Sequence, residues 1–349
     1  MQEIFTHNNK TSINHNQWKE KKMRFLKIIS PAVILSVILA TPVFAAEMLQ
    51  LKFGHVGKPG SLFEASVNEF AKRANAKLGD KAKVTAFGSS QLGKDKELLK
   101  KLKLGTIDFA LPSSVMASVS DEFGLFDMPY LVKDRAHMAR IEKKIVWPTL
   151  APILEQKGYK VLAIWENGFR NITNNKRPIN TPQDLKGLKL RTPKSVWRVK
   201  MFKAYGANPS PLSFSEVFVA LQTGTFDGQE NPLAQIASGK FQEVQKYLSM
   251  TGHVYTPAYV TVSTKYWDKL PEDVRNILET TAMETQDFVY KTAAQMEVDL
   301  LAELKAGGIQ VNNADKQAFI DASKPIYKEF GSSVPTGKAL IDTALGLAQ

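Results

Sequence analysis

The chain has 349 residues, of which 44% are hydrophobic and 9% aromatic, and this composition is globular and sufficient for two packed domains. Cysteine is absent, which excludes disulfides, thiolate metal ligands and cysteine nucleophiles. The formal net charge of +12 falls to +8 without residues 1–45, because these hold six Lys or Arg and two Asp or Glu. The remaining positive charges are scattered, which favours a solvated surface over nucleic-acid binding.

The first 45 residues have the pattern of an export signal. Residues 1–22 are polar and lack apolar periodicity, so we interpret them as a non-native or unstructured N-terminal extension before a true start at Met23. A basic segment then precedes an apolar run from Ile28 to Leu39, which is too short to span a membrane. We therefore predict a signal peptide over residues 23–45, cleavage after Ala45 and a periplasmic location. A membrane anchor is the alternative.

The mature chain begins with alternating strands and helices. The apolar patterns predict strands at Leu49–His55, Lys83–Phe87 and Ile107–Leu111, and helices at Leu62–Leu78 and Asp95–Leu104. This order is typical of a parallel α/β layer.

A second unit with the same logic follows, without a detectable internal repeat. Strands are predicted at Lys160–Trp165 and Leu188–Arg191, and a short extended segment at Asn208–Leu212. Helices are predicted at Ser195–Tyr205 and Phe214–Thr223, with a capped helical turn at Asn180–Leu185. A turn at residues 224–228 leads into a further short strand.

Two long elements complete the pattern. A continuous β-branched and aromatic strand is predicted at Tyr255–Ser263, long enough to join two lobes. Pro271–Ala306 is predicted as one helix, which at about 1.5 Å per residue is roughly 54 Å long. Because this length exceeds one small domain, we expect the helix to brace two.

The sequence contains no common catalytic motif. His55, His137 and His253 lie too far apart along the mature chain to suggest a zinc site. Asp227 and Glu230 could form a carboxylate pair, but turn and hydrogen-bonding roles beside a glycine are the better interpretation. The sequence therefore predicts no catalytic residue, metal or cofactor.

Two arginines are the strongest binding candidates. Arg170 follows an apolar run in Gly168-Phe169-Arg170-Asn171, and Arg191 ends a strand before Thr192-Pro193. Ligands bind at such strand ends in open α/β folds, and a guanidinium matches a carboxylate with two parallel hydrogen bonds. The pair suggests capture of a small organic anion. A structural carboxylate for Arg191, or local polar partners for Arg170, is the alternative.

Six short motifs follow one another along the mature chain: Gly88-Ser89-Ser90-Gln91-Leu92-Gly93, Gly187-Leu188-Lys189-Leu190-Arg191-Thr192-Pro193, Gly206-Ala207-Asn208-Pro209, Phe214-Ser215-Glu216-Val217-Phe218, Ala220-Leu221-Gln222-Thr223-Gly224 and Asp227-Gly228-Gln229-Glu230-Asn231-Pro232. In this order and at this spacing, they make the chain similar to the substrate-binding proteins of tripartite ATP-independent periplasmic (TRAP) transporters, the DctP-like group. The resemblance covers residues 48–335.

The resemblance implies a two-lobed α/β fold of the type II periplasmic-binding-protein class. Strands cross between the lobes, and a long helix spans both. On this basis we expect lobe I to comprise residues 46–167 plus 257–296, and lobe II residues 168–256 plus 297–349.

The resemblance also implies a ligand site. Arg191 takes the position of the arginine that pairs with the ligand's carboxylate, Arg170 that of a second ligand-side arginine, and Asn231 and Phe214 those of pocket residues. Ser113 stands where some sugar-acid members carry an acidic residue, which argues against the specificity of those members. Weaker candidates for the pocket wall are His55, Ser90, Trp197 and Tyr255.

The function implied is that of an exported receptor without catalytic activity. It would close on a small carboxylate ligand and deliver it, as a monomer, to membrane permease subunits. A dicarboxylate, a sugar acid, a keto or hydroxy acid and an aromatic acid all remain open as ligands. An exported sensor module, or an exported enzyme acting on an organic acid, are the alternatives.

Overall fold

The computed structural model describes residues 47–348. The predicted extension, signal peptide and cleavage position lie outside these residues. None of the helices described has the length and apolar character needed to cross a bilayer.

The described chain forms one mixed sheet of ten strands with helices packed around it. The strands are β1 (Leu49–Gly54), β2 (Ala82–Phe87), β3 (Phe109–Ala110), β4 (Tyr159–Asn174), β5 (Lys189–Thr192), β6 (Asn208–Pro211), β7 (Gly228–Pro232), β8 (Tyr247–Met250), β9 (Tyr255–Ser263) and β10 (Gln310–Asn313). The α-helices are α1 (Leu62–Leu78), α2 (Asp95–Leu104), α3 (Arg135–Ile141), α4 (Ala151–Gln156), α5 (Val196–Ala204), α6 (Val217–Gln222), α7 (Leu233–Ser238), α8 (Thr264–Trp267), α9 (Glu272–Ala306), α10 (Lys316–Ala322), α11 (Lys324–Ser333) and α12 (Gly337–Gly346).

The first half of the sheet has the order β2-β1-β3-β9-β4. β1 is parallel to β2 and β3, with α1 and α2 as the connecting helices, and β9 is antiparallel to both β3 and β4. This is the α/β layer that the alternating pattern predicted. Its core contains an aromatic cluster with ring centroids 5.3–6.2 Å apart, formed by Phe53, Phe70, Phe109 and Trp165.

The second half has the order β4-β7-β5-β6, with β8 on β4 and β10 on β8. β5 is parallel to β6 and β7, whereas β4 is antiparallel to β7 and β8. The turn predicted at residues 224–228 leads into the predicted short strand, β7, which begins at Gly228. The predicted α/β fold with two lobes and inter-lobe strands is thus confirmed.

β4 belongs to both halves, because it pairs with β9 up to Phe169 and with β7 from Arg170 onward. The sequence predicted this strand only as far as Trp165, since polar residues follow. Those polar residues are nevertheless buried in the strand. Gly168 lies at the change of partner with a φ of +121°, where a Cβ would lie 3.2 Å from the Cβ of Pro232. A glycine is required there for both reasons.

The long helix α9 packs against α1 and β4 of the first half and against α7 of the second. Its 35 residues correspond to about 52 Å. Two hydrogen bonds fix it to β4: Trp165 Nε1 donates to the carbonyl of Ala282 at 3.0 Å, and Gln286 Nε2 donates to the carbonyl of Ile164 at 2.7 Å. The helix predicted to brace two lobes therefore does so.

Candidate ligand-binding cleft

A cleft lies between the two halves of the sheet, where the carboxyl ends of their strands meet. It encloses about 530 Å³ of space between protein atoms, including its open mouth. The polar and charged residues that line it are Asp95, Lys96, Ser113, Ser114, Asn167, Arg170, Arg191, Lys194, Ser213, Asn231 and Gln235. Apolar contacts come from Val56, Phe63, Val115, Pro193, Leu212 and Phe214.

Arg191, near the end of β5, is buried with one edge of its guanidinium fixed. Nε and Nη2 both donate to the carbonyl of Leu212, at 2.8 and 2.6 Å. Within residues 47–348, no carboxylate forms a salt bridge with it. Burial, with the nearby charge of Arg170, lowers the pKa of Arg191 to about 10, but the group stays protonated at neutral pH. The Nη1 edge of the fork is therefore left for an anion from the cleft.

Arg170, by contrast, is paired with Glu230 across β4 and β7. Its Nε lies 2.5 Å from Glu230 Oε2 and its Nη2 lies 2.9 Å from Oε1, and Nη2 also donates to Asn231 Oδ1 at 3.0 Å. The carboxylate of Glu230 also accepts a hydrogen bond from Arg198 Nη1 at 2.7 Å, while Arg198 Nη2 donates to Asp127 at 2.5 Å. Arg170 lines the cleft, but most of its donors serve this buried network.

Glu230 is the centre of the network and remains ionised. Burial alone would raise the pKa of its carboxyl group, but Arg170 and Arg198 outweigh burial and hold that pKa well below its usual range. Burial also lowers the pKa of His253 to about 4, against the opposing effect of Glu230. Because a carboxylate only accepts, the neutral imidazole donates from Nε2 to Glu230 at 3.1 Å and accepts from Thr251 Oγ1 at Nδ1, at 2.8 Å.

A second polar chain lines the opposite wall. The hydroxyl of Ser113 donates to the carbonyl of Pro257 at 2.7 Å, and Asn167 Nδ2 donates to Ser113 Oγ at 3.1 Å. Gln235 Nε2 then donates to Asn167 Oδ1 at 3.3 Å. Gln235 Oε1 and Ser114 Oγ are buried and have no hydrogen-bond partner among the described residues.

The structure brings five of the nine predicted site residues together in the cleft: Ser113, Arg170, Arg191, Phe214 and Asn231. The other four, His55, Ser90, Trp197 and Tyr255, do not line it. The ring of Trp197 packs edge-on against Phe330 at 4.9 Å between centroids. Tyr255 donates to Glu166 at 3.3 Å. A role in ligand binding stays a prediction for all four residues.

His55 and Ser90 lie together beside the glycine-serine motif. His55 is buried, and this lowers its pKa to about 4, so it is neutral at physiological pH. A Cβ on Gly88 would approach His55 Cε1 to 2.8 Å, so the motif's first glycine allows the close packing. Ser90 adopts a φ of +61° in the turn that follows. This arrangement gives both residues a structural part in the turn.

The sequence did not single out Asp95, Asn167, Lys194, Arg198 or Gln235. Asn167 precedes the Gly-Phe-Arg motif directly, and Gln235 follows Asn231 by four residues, so both could have been found from motif spacing. Arg198 carried no such signal, because its partners Asp127 and Glu230 are distant along the chain. Burial raises the pKa of Asp95, while Arg191 and Lys194 oppose that rise.

Two contacts cross the mouth of the cleft. Lys94, which precedes α2, forms a salt bridge of 2.9 Å with Glu216, which precedes α6. The ammonium of Lys58 lies 5.8 Å from the ring centroid of Phe218. Both contacts join the β1–β3 half to the segment that follows Phe214, so they depend on the closeness of the two walls.

No cluster of His, Asp and Glu suited to hold a metal ion occurs between Glu47 and Ala348. The charged groups at the cleft are instead three arginines, two lysines and the three carboxylates Asp95, Asp127 and Glu230. With His253 neutral, this set leaves a net positive charge that favours an anion.

Comparison with known proteins identifies similar chains along nearly the whole length. The family model "Bacterial extracellular solute-binding protein, family 7" matches residues 53–333. The 2,3-diketo-L-gulonate-binding periplasmic protein YiaO of Escherichia coli K12 is 33% identical over 319 residues, which cover 90% of this chain and 97% of that protein.

Solved structures agree with this likeness. The sugar acid binding protein DctPAm of Advenella mimigardefordensis, in complex with galactonate, is 33% identical with a TM-score of 0.83, covering 86% of this chain and 98% of that one. A TRAP periplasmic solute binding protein of Sulfurospirillum deleyianum with bound succinate is 34% identical with a TM-score of 0.82, covering 86% and 99%. The two structures hold different acids in the same fold.

Proposed function

This chain belongs to the bacterial extracellular solute-binding proteins of family 7, and on that premise we propose that it captures one small organic acid through the acid's carboxylate. The observation that carries the proposal is the state of Arg191. It is a buried guanidinium that lines the cleft, fixed on one edge by Leu212 and without a carboxylate partner among residues 47–348. A buried charge of this kind is costly unless a ligand compensates it.

We assign the neighbouring residues to supporting roles. Asn231 already accepts from Arg170 and donates to Gln229, at 2.5 Å, so its amide is held in place beside the carboxylate position. Phe214 packs edge-on against Phe241 at 5.8 Å and offers an apolar surface for the carbon skeleton. Arg170 has Nη1 as the atom not used by Glu230 or Asn231, and contributes a hydrogen bond from there.

Ligand capture proceeds in this proposal by closure of the two lobes, residues 46–167 plus 257–296 and residues 168–256 plus 297–349. The change of partner along β4 at Gly168 and the two contacts across the cleft support that division. A ligand that touches both walls binds the closed form better and so raises its population. The closed monomer then docks on membrane permease subunits, after export by the signal peptide over residues 23–45. No reaction is assigned to the cleft.

The test is a thermal-shift screen of organic acids, followed by titration calorimetry. A specific ligand raises the melting temperature by mass action, and its primary amide, which lacks the charge, does not. Recovery of the acid unchanged after incubation separates a receptor from an enzyme. Loss of uptake on deletion of the gene separates delivery to a permease from sensing. If no acid raises the melting temperature, or if amides bind as well as their acids, the proposal is wrong.

A further inference from the structure

Gln235 lies on the cleft wall with an acceptor that no described residue satisfies. The residue is 3% exposed, and Oε1 has no partner among residues 47–348 while Nε2 donates to Asn167. An amide oxygen accepts and never donates. A buried acceptor without a partner is costly, and a donor that enters the cleft would remove that cost.

The orientation of this amide is set by a chain of hydrogen bonds that begins at the backbone. The carbonyl of Pro257 only accepts hydrogen bonds, so Ser113 donates its single hydroxyl proton to it, at 2.7 Å. Ser113 Oγ is then left as an acceptor, and Asn167 must turn its amino group toward it, at 3.1 Å. Asn167 thus directs its acceptor Oδ1 toward Gln235, and Gln235 donates to it from Nε2. Each step fixes the next, and the chain ends with Gln235 Oε1 as an acceptor.

Ser114 has a second unsatisfied hydrogen-bonding group on the same wall. Its Oγ is buried, lines the cleft and has no hydrogen-bond partner in the described part of the chain. A hydroxyl group can both donate to Gln235 and accept from Ser114, whereas a second carboxylate could not donate to Gln235. An ammonium group could donate, but it would enter a cleft that already holds Arg170, Arg191, Lys96 and Lys194. The chemistry therefore fits a hydroxyl.

We propose that the ligand is a hydroxy acid, whose hydroxyl donates to Gln235 while its carboxylate pairs with Arg191. Gln235 is then a specificity-determining residue, and Ser113 and Asn167 are positioning residues that act through it. This inference rests on the proposed function, because it needs an acid in the cleft. A site built to receive a hydroxyl rejects the analogue that lacks it more strongly than an apolar pocket rejects a missing methylene.

The test compares matched acids by titration calorimetry on the mature protein: malate with succinate, lactate with propionate, and 3-hydroxybutyrate with butyrate. Aspartate and alanine replace the hydroxyl by an ammonium group. We expect at least one hydroxy acid to bind about tenfold or more tightly than its deoxy partner, and more tightly than the amino acid. Binding of the amino acids in preference would identify the donor as ammonium and overturn the proposal.

Substitutions then locate the preference. In Gln235→Met the ratio of the two dissociation constants should fall below about threefold while affinity for the deoxy acid changes little. Gln242→Met is the matched control, because Gln242 Oε1 is also buried and without a described partner but lies outside the cleft. Ser113→Ala should lower the ratio without loss of fold, and Ser113→Thr, which keeps the hydroxyl, should restore it.

The outcomes separate the two proposals. Acids that bind with no hydroxyl preference, or a preference that survives Gln235→Met, overturn the hydroxy-acid inference and leave organic-acid capture in place. Failure of every acid in the wider thermal-shift screen overturns both. If Gln235→Met does not fold, as judged by circular dichroism, the Ser113→Ala and Ser113→Thr pair decides, since an unchanged ratio in both would contradict the chain of hydrogen bonds.

Discussion

Arg191→Met should weaken binding strongly while it leaves the stability of the empty protein nearly unchanged. Removing one partner of a buried charge pair costs ~2–5 kcal/mol of binding energy. That range corresponds to a loss of affinity from about thirtyfold to several thousandfold. Methionine has a similar length and can fill the space left by the aliphatic part of the arginine side chain.

The stability of the empty protein follows from two opposing terms. A pKa near 10, against the ordinary 12.5, corresponds to about 3 kcal/mol against the buried charge of Arg191, and this cost disappears with the substitution. The carbonyl of Leu212 loses both its donors, which costs about 1–3 kcal/mol. The sum lies within about 2 kcal/mol of zero.

Urea unfolding of the ligand-free protein and titration calorimetry with the acid identified by thermal shift measure the two quantities separately. Arg198→Met is the matched control. It removes the guanidinium that now pairs with both Asp127 and Glu230, so it should lower the free energy of unfolding by about 3–5 kcal/mol. Unchanged affinity in Arg191→Met would remove Arg191 from the ligand contact, and equal destabilisation by both substitutions would refute the distinction between an unpaired and a paired arginine.

Three further predictions concern pH, closure and packing. The pKa of His253 is about 4 in the folded protein and about 6.5 in the unfolded chain, so on acidification the unfolded state binds the proton first and the free energy of unfolding falls. In urea unfolding, His253→Gln should remove about 2–3 kcal/mol of the fall between pH 7 and 4.5. An identical fall in both proteins would contradict this. A double-mutant cycle of Lys94→Gln and Glu216→Gln should show a coupling of at most about fivefold in ligand affinity, and high salt should abolish that coupling. A coupling that persists at high salt would mean that it does not come from the salt bridge. Gly124→Ala would place a Cβ 2.2 Å from Trp197 Cδ1 and should destabilise the fold by about 1–3 kcal/mol in the same unfolding assay, with a neutral result showing that the ring can move.

The regular elements were predictable where apolar periodicity continued without interruption. The helices at Leu62–Leu78 and Asp95–Leu104 and the strand at Tyr255–Ser263 have the predicted bounds. β4 was cut short at Trp165, because burial of polar side chains beyond it depends on hydrogen-bond partners that are remote in sequence. The short helical turns between Ser114 and Gln156 were missed for a related reason, since no single period extends through them.

The candidate site was predictable only in part. Arg191 and Asn231 were found because they lie in motifs of recognisable spacing. The pairing of Arg170 with Glu230 was not, because it depends on the antiparallel register of β4 and β7, which places Ile172 opposite Glu230 and Arg170 opposite Pro232. Whether Gln235 presents oxygen or nitrogen to the cleft is decided three hydrogen bonds away, at the carbonyl of Pro257, and no local pattern encodes it.

The sharing of β4 between both halves of the sheet has a consequence for how such receptors change their ligand. A cut at Gly168 would interrupt this continuous strand and would divide Asn167 from Arg170, which line the same cleft. We therefore expect that a lobe exchanged between relatives at this point would bring together cleft residues from two different sites. On this view we expect new specificities to arise by substitution of side chains on an intact backbone, beginning with single polar residues on the wall of the cleft.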